Sequence, residues 1–460
     1  MSDPFEDVVA ELANTKESIS VTAAAGCGKT EAIVRAVMQA NGRQLILTHT
    51  NAGVAALRSR LRRYSVPESK YCVETIATWL LKYASAYPAM SGLQNPKVQG
   101  NDWEQVYPAA KKLFDYHFIG DILRASYSGV FIDEYQDCTQ QQHEIVLKLC
   151  EVLPVRVVGD PLQGIFGFQK DPMVNWQKVQ EKFRSLPDLC VPYRWTKDST
   201  ANGKLGEQLN DIRSSLLAGE PICLSNYSEI QWLDKKEAQE QCICLRASKE
   251  LEGMIVGIHQ WPDDAHNSAR AMGGLYQSIE EMDCKDLMAA SERINSFLQR
   301  GDYKSIAGLV KDFIKKGCTN QQISSELESD ISAIAQGDLI YISRIMQAVI
   351  QDSNMQVFRR ELLSEMKRSA EEFATGKYNS FWDAAYAARY RTRLYGRKLE
   401  KRIISRTLLI KGVEFDHAIV LNADKLQNRE NFYVAITRAS RSLIVLSSSN
   451  IISFSVTCSG

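Results

Sequence analysis

The chain has 460 residues, with 55 Lys plus Arg and 55 Asp plus Glu, so its formal net charge at pH 7 is zero. This balance excludes a uniformly basic nucleic-acid binder, because any nucleic-acid surface must then be a local patch. Hydrophobic residues make up 45% of the chain, which excludes a mainly disordered protein. The length leaves room for roughly two to four domains with proper cores.

The cellular setting follows from the same composition. No apolar run approaches the length that spans a bilayer and the N-terminus is acidic, so we expect a cytoplasmic protein with no membrane anchor. The eleven cysteines show neither C-x-x-C spacing nor the His neighbours typical of zinc sites. We expect them to be reduced.

The first element with chemical meaning is a loop between a predicted strand at 19–22 and a predicted helix at 31–40. Its sequence, AAAGCGKT, is typical of a phosphate-binding loop. Glycines let backbone amides turn toward the phosphates, while Lys29 would reach the β and γ oxygens and Thr30 would hold Mg²⁺. The alternative is a Gly-rich turn that binds nothing. The residues predicted to bind nucleotide here are Ala24, Ala25, Gly26, Cys27, Gly28, Lys29 and Thr30.

Cys27 carries a separate hypothesis. It lies at the N-terminus of the predicted helix, where the backbone field would lower the pKa of its thiol and make it redox-sensitive. The simpler interpretation is a small filler residue at a variable position of the loop. A thiol reagent that leaves hydrolysis unchanged would exclude redox sensitivity.

A second polar group follows an apolar strand pattern at 128–132. The strand runs into Asp133 and Glu134, and strand ends are where an α/β sheet presents catalytic groups. Asp133 is suited to hold Mg²⁺, and Glu134 is suited to polarise the attacking water. A solvated strand end is the alternative, but the phosphate loop favours the functional interpretation.

Residues 133–137, DEYQD, resemble motif II of superfamily 1 helicases of the UvrD/Rep type, and further blocks resemble the other motifs in their family order. Residues 47–57 resemble motif Ia, 73–79 motif Ib and 158–166 motif III. The resemblance implies that motif III supplies Gln163 as a γ-phosphate sensor, and that Phe166 either stacks on a base or belongs to the core. The motif Ia and Ib residues that would contact single-stranded DNA are Thr48, Thr50, Asn51 and Thr75.

Three later blocks resemble motifs IV, V and VI, namely PYR at 192–194, IKGVEFD at 410–416 and YVAITRA at 433–439. The resemblance implies that Tyr193 stacks on the nucleotide base and that Gly412 and Glu414 meet the nucleotide. Arg194 would reach the γ-phosphate and Arg438 would be the arginine finger. Planar guanidinium groups suit this role because the transferred phosphoryl group spreads charge over several oxygens.

The sequence also departs from the family pattern. No Gln precedes the phosphate loop within residues 1–22, so the usual adenine-reading side chain is missing. ATP is the expected nucleotide, with other NTPs or dNTPs as alternatives. Ala77 in motif Ib and Leu408 in motif V stand where relatives often carry His, which suggests altered strand handling.

The resemblance implies an α/β fold with two RecA-like P-loop lobes that have parallel sheets, each lobe carrying a helical insertion, and with the nucleotide between the lobes. The last insertion has no proline and shows helical apolar spacing, for example at Leu309, Val310, Phe313 and Ile314. The predicted domains are 1–84 with 128–187 (first lobe), 85–127 (a reduced insertion), 188–285 with 402–460 (second lobe) and 286–401 (a helical insertion).

A basic and aromatic run at 386–406 includes Arg391, Arg393 and Arg397 among its cations, with Tyr390 and Tyr395 between them. It could follow phosphates and stack on bases. The alternative is a solvated helix face.

These features predict a DNA-dependent NTPase that uses Mg²⁺ and translocates 3′ to 5′ on single-stranded or tailed DNA. The polarity is implied only by the resemblance. The chain is also similar to stand-alone UvrD-like proteins encoded beside OLD-family nucleases in Gabija antiviral systems, which would make such a nuclease its partner. The alternative is a DNA-end sensor that gates the nuclease without processive unwinding. A catalytically dead scaffold is disfavoured because every catalytic position keeps a competent side chain.

Overall fold

A computed structural model describes most of the chain, namely residues 3–93, 103–165, 171–240, 249–260, 277–279, 284–311, 314–316, 322–351, 356–357, 360–395 and 401–454. The chain divides into two compact units. The first unit comprises residues 1–275 and 400–460, and the second comprises residues 276–399.

The described strands are β1 (Ile19–Thr22), β2 (Gln44–Thr48), β3 (Tyr71–Thr75), β4 (Gly129–Ile132), β5 (Val155–Gly159), β6 (Arg184–Ser185), β7 (Ile222–Cys223), β8 (Ile230–Asp234), β9 (Ile255–His259), β10 (Gln277–Ile279), β11 (Ile314–Lys316), β12 (Gln356–Val357), β13 (Arg402–Arg406), β14 (Phe415–Val420), β15 (Ala439–Ser447) and β16 (Ile451–Ile452).

The described α-helices are α1 (Pro4–Asn14), α2 (Lys29–Gln39), α3 (Asn51–Arg63), α4 (Ile76–Ala86), α5 (Pro88–Ser91), α6 (Trp103–Leu113), α7 (His117–Ser126), α8 (Gln140–Cys150), α9 (Trp176–Lys182), α10 (Gly203–Ala218), α11 (Lys235–Glu240), α12 (Cys284–Arg300), α13 (Tyr303–Lys311), α14 (Gln322–Ala335), α15 (Ile340–Gln351), α16 (Arg360–Ala374), α17 (Phe381–Tyr395), α18 (Thr407–Ile410) and α19 (Arg429–Ile436).

The first lobe of unit one is a parallel sheet in the order β3-β2-β4-β5-β1-β6. Strands β1, β2, β4 and β5 are buried along their whole length. Parallel strands read as continuous apolar runs because helices cover both faces of the sheet. Two hydrophobic clusters form these faces, one built with α1, α2 and α3 and the other with α4, α6 and α8.

An insertion interrupts this lobe between α4 and β4. It contains α5, α6 and α7, and α6 and α7 supply residues to the cluster that includes Trp79. Proline begins α5 at Pro88 and Gly92 ends it in the left-handed conformation, a common arrangement for a short helix.

The second lobe is also built on parallel strands, in the order β13-β9-β14-β15-β8. The long strand β15 carries the residues that follow motif VI, and α19 immediately precedes it. Both lobes lie in unit one, so contacts between them define the geometry of the site.

Unit two is mainly helical, with a core drawn from helices α12 to α17. The prediction of an almost entirely helical segment is wrong in one place, because β11 and β12 pair antiparallel within it. The helical spacing expected through Ile314 ends with α13 at Lys311, and Ile314 belongs to β11; Phe313 lies outside the described residues. Pairing with β12 satisfies the backbone there, and a β-branched residue suits a strand.

The predicted α/β fold, with two parallel-sheet lobes that each carry a helical insertion, is confirmed. The four predicted domain boundaries stay predictions. None of the helices in the described part of the chain is long and apolar enough to cross a membrane.

The core of unit two yields a stability prediction. Phe381 is fully buried and contacts the ring of Phe373 with 5.7 Å between ring centroids. Phe381→Ala should lower the free energy of unfolding by about 3–5 kcal/mol, because it leaves a cavity in this core. Thermal and urea unfolding would measure the change. Tyr386→Ala, at an exposed position of the same helix, removes a ring that stacks on Trp382 and is the control; it should cost only about 0.5–1.5 kcal/mol. Equal stability of the two variants would contradict the packing.

Candidate nucleotide site between the lobes

The phosphate loop connects β1 to α2, and its glycines have the backbone geometry that the loop requires. Gly26 and Gly28 have φ values of 70° and 85°, in the left-handed region that favours glycine. A Cβ atom added at Gly26 would lie 2.6 Å from the Trp195 ring. Helix α2 begins at Lys29, so its N-terminal amides and its dipole lie where a phosphate group would be stabilised.

Strands β4, β5 and β1 are neighbours in the parallel sheet, so their carboxyl ends lie at the same edge. The motif II carboxylates, which follow β4, therefore lie beside the phosphate loop, which follows β1. Lys29 Nζ lies 3.3 Å from Glu134 Oε2, and Thr30 Oγ1 donates to Asp133 Oδ2 at 3.5 Å. Glu134 has a φ of 56°, a left-handed conformation that is uncommon outside glycine. Such strain costs about 1–3 kcal/mol and tends to occur at functional sites.

The charges of this cluster depend on one another. Burial, together with the adjacent Glu134 carboxylate, raises the pKa of Asp133 to about 7. Burial also disfavours ionised Glu134, but the ammonium groups of Lys29 and Lys411 outweigh it and lower that pKa to about 2. Burial opposes the charge on Lys29, yet the Glu134, Asp160 and Asp133 carboxylates raise its pKa overall. Glu134 is therefore the ionised carboxylate of the pair.

The residues fit Mg²⁺ in the way that the sequence predicts. Thr30 and Asp133 offer a hydroxyl and a buried carboxylate within 3.5 Å of each other, and Mg²⁺ prefers oxygen ligands. A dication beside Asp133 would favour its ionised form, which burial disfavours. Among the described residues no group of three or more His, Cys, Asp or Glu could hold a metal, so the remaining ligands would be phosphate oxygens and water.

Asp160, at the end of β5, organises the motif III side chains. It is fully buried, accepts from Gln163 Nε2 at 2.7 Å, and pairs with Arg213 on α10 at 3.2 Å. Its backbone N–H donates to Gln136 Oε1 at 2.9 Å, while Gln136 Nε2 donates to Glu134. The predicted γ-phosphate sensor Gln163 is thus connected to Glu134 through Asp160 and Gln136.

Lys411 connects the two lobes. It follows α18 in the second lobe, and its ammonium donates to both oxygens of Asp137 at 2.6 Å and to the Gln163 carbonyl. The side chains of Lys411 and Asp137 are 8% and 4% exposed, so this is a buried ion pair. Burial raises the pKa of Asp137 to about 6, although Lys411 acts in the opposite direction.

Tyr433, on α19, makes a second contact between the lobes. Its hydroxyl oxygen accepts from the backbone N–H of Ala25 at 3.1 Å, within the phosphate loop. The Tyr433 side chain is buried. One of the amides expected to bind phosphate is therefore paired with the second lobe.

Of the two predicted phosphate-binding arginines, Arg194 lies on this same boundary. Arg194 pairs with Glu414 at 3.0 Å and donates to the Thr437 carbonyl at 2.5 Å, while its own backbone N–H donates to the Gly26 carbonyl at 3.0 Å. Glu414, predicted to meet the nucleotide, also pairs with Lys197 at 3.1 Å. These contacts place Arg194 and Glu414 beside the phosphate loop.

Arg438 is 1% exposed and donates to the Val434 carbonyl at 2.8 Å, the Val413 carbonyl at 3.2 Å and the Thr437 hydroxyl at 3.1 Å. These partners all belong to the second lobe. Burial and the positive charge of Arg194 lower the pKa of Arg438 to about 9. In this conformation the predicted arginine finger is held by its own lobe.

Tyr193, which is predicted to stack on the nucleotide base, lies beside the phosphate loop. Its ring meets Phe5 of α1 edge-on at 5.3 Å between centroids, and it approaches the Gly28 position of the loop. Arg35 lies 5.7 Å above the Phe5 ring and pairs with Glu6. Gly412, also predicted to meet the nucleotide, has a φ of 81° that only glycine adopts readily.

Comparison with known proteins agrees with this geometry. Residues 82–184 match the family model of the UvrD/REP helicase N-terminal domain. Over these residues the chain is similar to UvrD-like superfamily 1 helicases. A RecBCD enzyme subunit RecB of Buchnera aphidicola subsp. Acyrthosiphon pisum (strain APS) is 22% identical over 174 residues, which is 30% of this chain and 15% of RecB. The chain thus corresponds to a small part of that relative's length.

Solved structures of Arterivirus nonstructural protein 10 (helicase), alone and in complex with DNA, are each 11% identical with a TM-score of 0.36. The matches cover 96% and 99% of this chain and 61% and 63% of those chains. At this level of similarity they support no argument about the site.

The predicted nucleic-acid residues differ in accessibility. Thr50 is exposed and caps α3, and Asn51 beside it is half-buried. Thr48 and Thr75 are only 1% and 8% exposed, and Thr75 caps α4 by accepting from the Thr78 N–H. The Thr48 side chain packs beneath Gly53, and the predicted contacts of these four residues with DNA stay predictions.

The structure describes less of the other residues that are predicted to contact nucleic acid. Phe166 and Arg397 lie outside the described residues, and Arg391 and Arg393 lie on the backbone of α17. Their roles stay predictions.

The hypothesis that the helix field lowers the pKa of the Cys27 thiol is wrong. The thiol is fully buried, and this burial raises its pKa to about 12 instead of lowering it. The nearby Cys190 and Asp160 act in the same direction and outweigh the arginines. The filler interpretation therefore fits Cys27 better than the redox interpretation.

Three residues that join separate segments of this site through their side chains were not predicted: Asp160, Lys411 and Tyr433. Lys411 could have been suspected, because it directly precedes Gly412 in the motif V block. Asp160 and Tyr433 likewise lie in the motif III and motif VI blocks, but their contacts join segments far apart in sequence, which sequence spacing does not reveal.

Cys27 gives a test by chemical labelling. With a pKa of about 12, roughly one thiol in ten thousand is ionised at pH 8, and only the thiolate reacts rapidly. Iodoacetamide should therefore label Cys27 at least 100-fold more slowly than the exposed Cys190 in the folded protein. Peptide mass spectrometry would measure both labelling rates, and a Cys190→Ser variant would identify the fast site. Comparable labelling rates for the two cysteines would contradict the burial of the Cys27 thiol.

Lys411 gives a test of the contact between the lobes. Lys411→Met should lower the free energy of unfolding by about 3–5 kcal/mol, because it leaves the buried Asp137 carboxylate without its cation. Restoring neutrality with Asp137→Asn should recover part of the loss, which a double-mutant cycle would measure. Lys236→Met, at an exposed position of the second lobe, is the matched control; additive effects of the Lys411 and Asp137 changes would contradict the pairing.

Proposed function

We propose that the chain is an Mg²⁺-dependent NTP hydrolase, with ATP as the first substrate to test, that translocates 3′ to 5′ on single-stranded DNA. The observation that carries this proposal is the grouping of Lys29, Thr30, Asp133 and Glu134 at one sheet edge. Arg194 and Lys411 of the second lobe contact the same region. The match of residues 82–184 to the UvrD/REP family model supports nucleotide hydrolysis, while the polarity rests on resemblance alone.

Binding of a triphosphate would change the partners of Lys29. Its ammonium would leave Glu134, 3.3 Å away, for the β and γ oxygens. Glu134 would then lose the cation that lowers its pKa and become a stronger base. Nucleotide binding and base activation are coupled in this way.

Hydrolysis would follow by attack of water on the γ-phosphorus. Glu134 would accept the proton of this water as the bond to the β-γ bridging oxygen breaks, which gives a nucleoside diphosphate and phosphate. When bound by Thr30 and Asp133, Mg²⁺ neutralises charge on the phosphate oxygens. Arg194 would release Glu414 to meet the γ-phosphate, and Arg438 would have to leave its carbonyl partners.

Closure of the lobes would convert this chemistry into movement. Lys411 touches both Asp137 and the backbone of Gln163, and Tyr433 touches the phosphate loop at Ala25. A change in nucleotide state would therefore alter contacts of the second lobe with three segments of the first lobe, at Asp137, Gln163 and Ala25. Alternating closure and opening can advance the lobes along a strand.

A second candidate function is a DNA-end sensor that gates a partner nuclease, with an OLD-family enzyme of an antiviral system as the expected partner. One observation favours it. Of the four motif Ia and Ib residues, Thr48 and Thr75 are buried, which leaves Thr50 and Asn51 to meet a strand. Because such contacts hold a protein in position on its nucleic acid, their smaller number is the feature that supports the sensor over the translocase.

The direct test measures NTP hydrolysis with and without single-stranded DNA and strand displacement on a 3′-tailed duplex. The translocase predicts stimulation by DNA together with displacement of 3′-tailed but not 5′-tailed duplex. Stimulation without displacement would favour the sensor. An NTPase that DNA leaves unchanged would contradict both DNA-dependent functions.

Two controls keep this test specific. Lys29→Ala should reduce hydrolysis to background, which excludes a contaminating enzyme, and chelation of divalent cations should do the same to wild type. Hydrolysis that persists in Lys29→Ala would mean that the phosphate loop is not the site.

A further inference from the structure

The hydrolysis proposed above does not use a buried arginine on α10. Arg213 is 7% exposed, and its guanidinium pairs with Asp160 of the first lobe at 3.2 Å. Its Nε atom is also buried and has no hydrogen-bond partner among the described residues. A buried cation is stable only beside a matching anion, so this guanidinium depends on its contact with Asp160.

The second lobe sets the position of Arg213. Helix α10 packs against β15 and α19, and its apolar side, which includes Leu209 and Leu216, is buried. The helix is capped by Asn202, whose backbone N–H donates to the Ser440 carbonyl at 3.0 Å. Arg213 is therefore carried by the same lobe as β15.

Asp160, in contrast, belongs to the motif III segment of the first lobe. One of its carboxylate oxygens accepts from Arg213 and from the backbone of Leu162, and the other accepts from the Gln163 side chain at 2.7 Å. Because Asp160 is fully buried, water cannot replace these partners. A change at Arg213 must therefore alter the carboxylate that holds the Gln163 amide.

The second lobe thus holds Gln163 at two points. Arg213 acts on its side chain through Asp160, and Lys411 donates to its backbone carbonyl. Both cations belong to the second lobe, whereas Gln163 follows β5 in the first lobe. Separation of the lobes would break both contacts, and closure would restore them.

We propose that Arg213 is a positioning residue for hydrolysis, which aligns Gln163 through Asp160 only while the two lobes are in contact. The inference rests on the proposed function in that Gln163 must meet the γ-phosphate. It identifies a residue that makes turnover depend on lobe closure, because a misplacement of about 1 Å at an active site can cost about 10²-fold in rate. An ion pair with a structural role alone would stabilise the protein without controlling its rate.

The first measurement compares kcat and KM for ATP, with single-stranded DNA present, among Arg213→Met, Gln163→Ala and the double variant. Arg213→Met should lower kcat by about 10–100-fold, while KM stays within about threefold of wild type. The double variant should be no more than about twofold slower than Gln163→Ala, because the side chain that Arg213 aligns is already absent. Arg213→Lys, which restores a cation without the planar fork, should recover part of the rate.

The second measurement requires no turnover. The ratio of the affinity for a non-hydrolysable ATP analogue to the affinity for ADP reports the contribution of the γ-phosphate. Arg213→Met should reduce this ratio by the same factor as Gln163→Ala, with the affinity for ADP within about threefold of wild type. If wild type shows no turnover, an equal reduction of the ratio in both variants would contradict the proposed hydrolysis and still support the link from Arg213 to Gln163.

Arg156→Met is the matched control. Arg156 is also a buried arginine, but it lies toward the opposite end of β5 from Asp160 and donates to the Thr15 and Pro154 carbonyls. Its replacement should lower the free energy of unfolding and leave kcat and the affinity ratio within about twofold of wild type. This control separates the loss of a buried arginine from the loss of the contact with Asp160.

Thermal unfolding establishes which variants are folded. If Arg213→Met does not fold, the double variant Arg213→Gln, Asp160→Asn replaces it in both measurements, because it leaves no unpaired buried charge. A folded Arg213 variant with the kcat and the affinity ratio of wild type would overturn the proposal. Rate effects that are additive with those of Gln163→Ala would also overturn it.

Discussion

A lysine ammonium that is 8% exposed beside two adjacent carboxylates is the constraint on which this structure depends. A buried charge is stable only when it is paired, so Lys29 requires Glu134 at the edge of the sheet. The parallel order β4-β5-β1 brings the phosphate loop and motif II together, and a left-handed backbone at Glu134 turns its carboxylate toward Lys29. Much of the first lobe serves to hold this contact.

The same charge balance extends across the boundary between the lobes. Lys411 neutralises Asp137, three residues after Glu134, and Arg213 neutralises Asp160. Both cations come from the second lobe and both carboxylates from the first. Separation of the lobes would therefore expose or unpair buried charges, so nucleotide-driven changes at Glu134 and Lys29 have a physical route to the second lobe.

The sequence predicted the parts of this site that depend on local geometry. The loop glycines, Lys29 and the strand before Asp133 follow from backbone conformation and hydrophobic periodicity, which a short window contains. It could not predict the sign of the Cys27 pKa shift, because burial from distant elements outweighs the helix field there. Burial of Thr48 beneath Gly53 and the bond from Ala25 to Tyr433 likewise depend on tertiary packing.

The most direct test of the central claim is the Glu134→Gln variant, assayed for nucleotide binding and hydrolysis in parallel. Glutamine keeps the size of the side chain and removes its basicity. The account predicts that a fluorescent triphosphate still binds with an affinity within a few-fold of wild type, while the hydrolysis rate falls by about 10²–10⁴. Hydrolysis at the wild-type rate by a folded Glu134→Gln protein would contradict the assignment of Glu134 as the base.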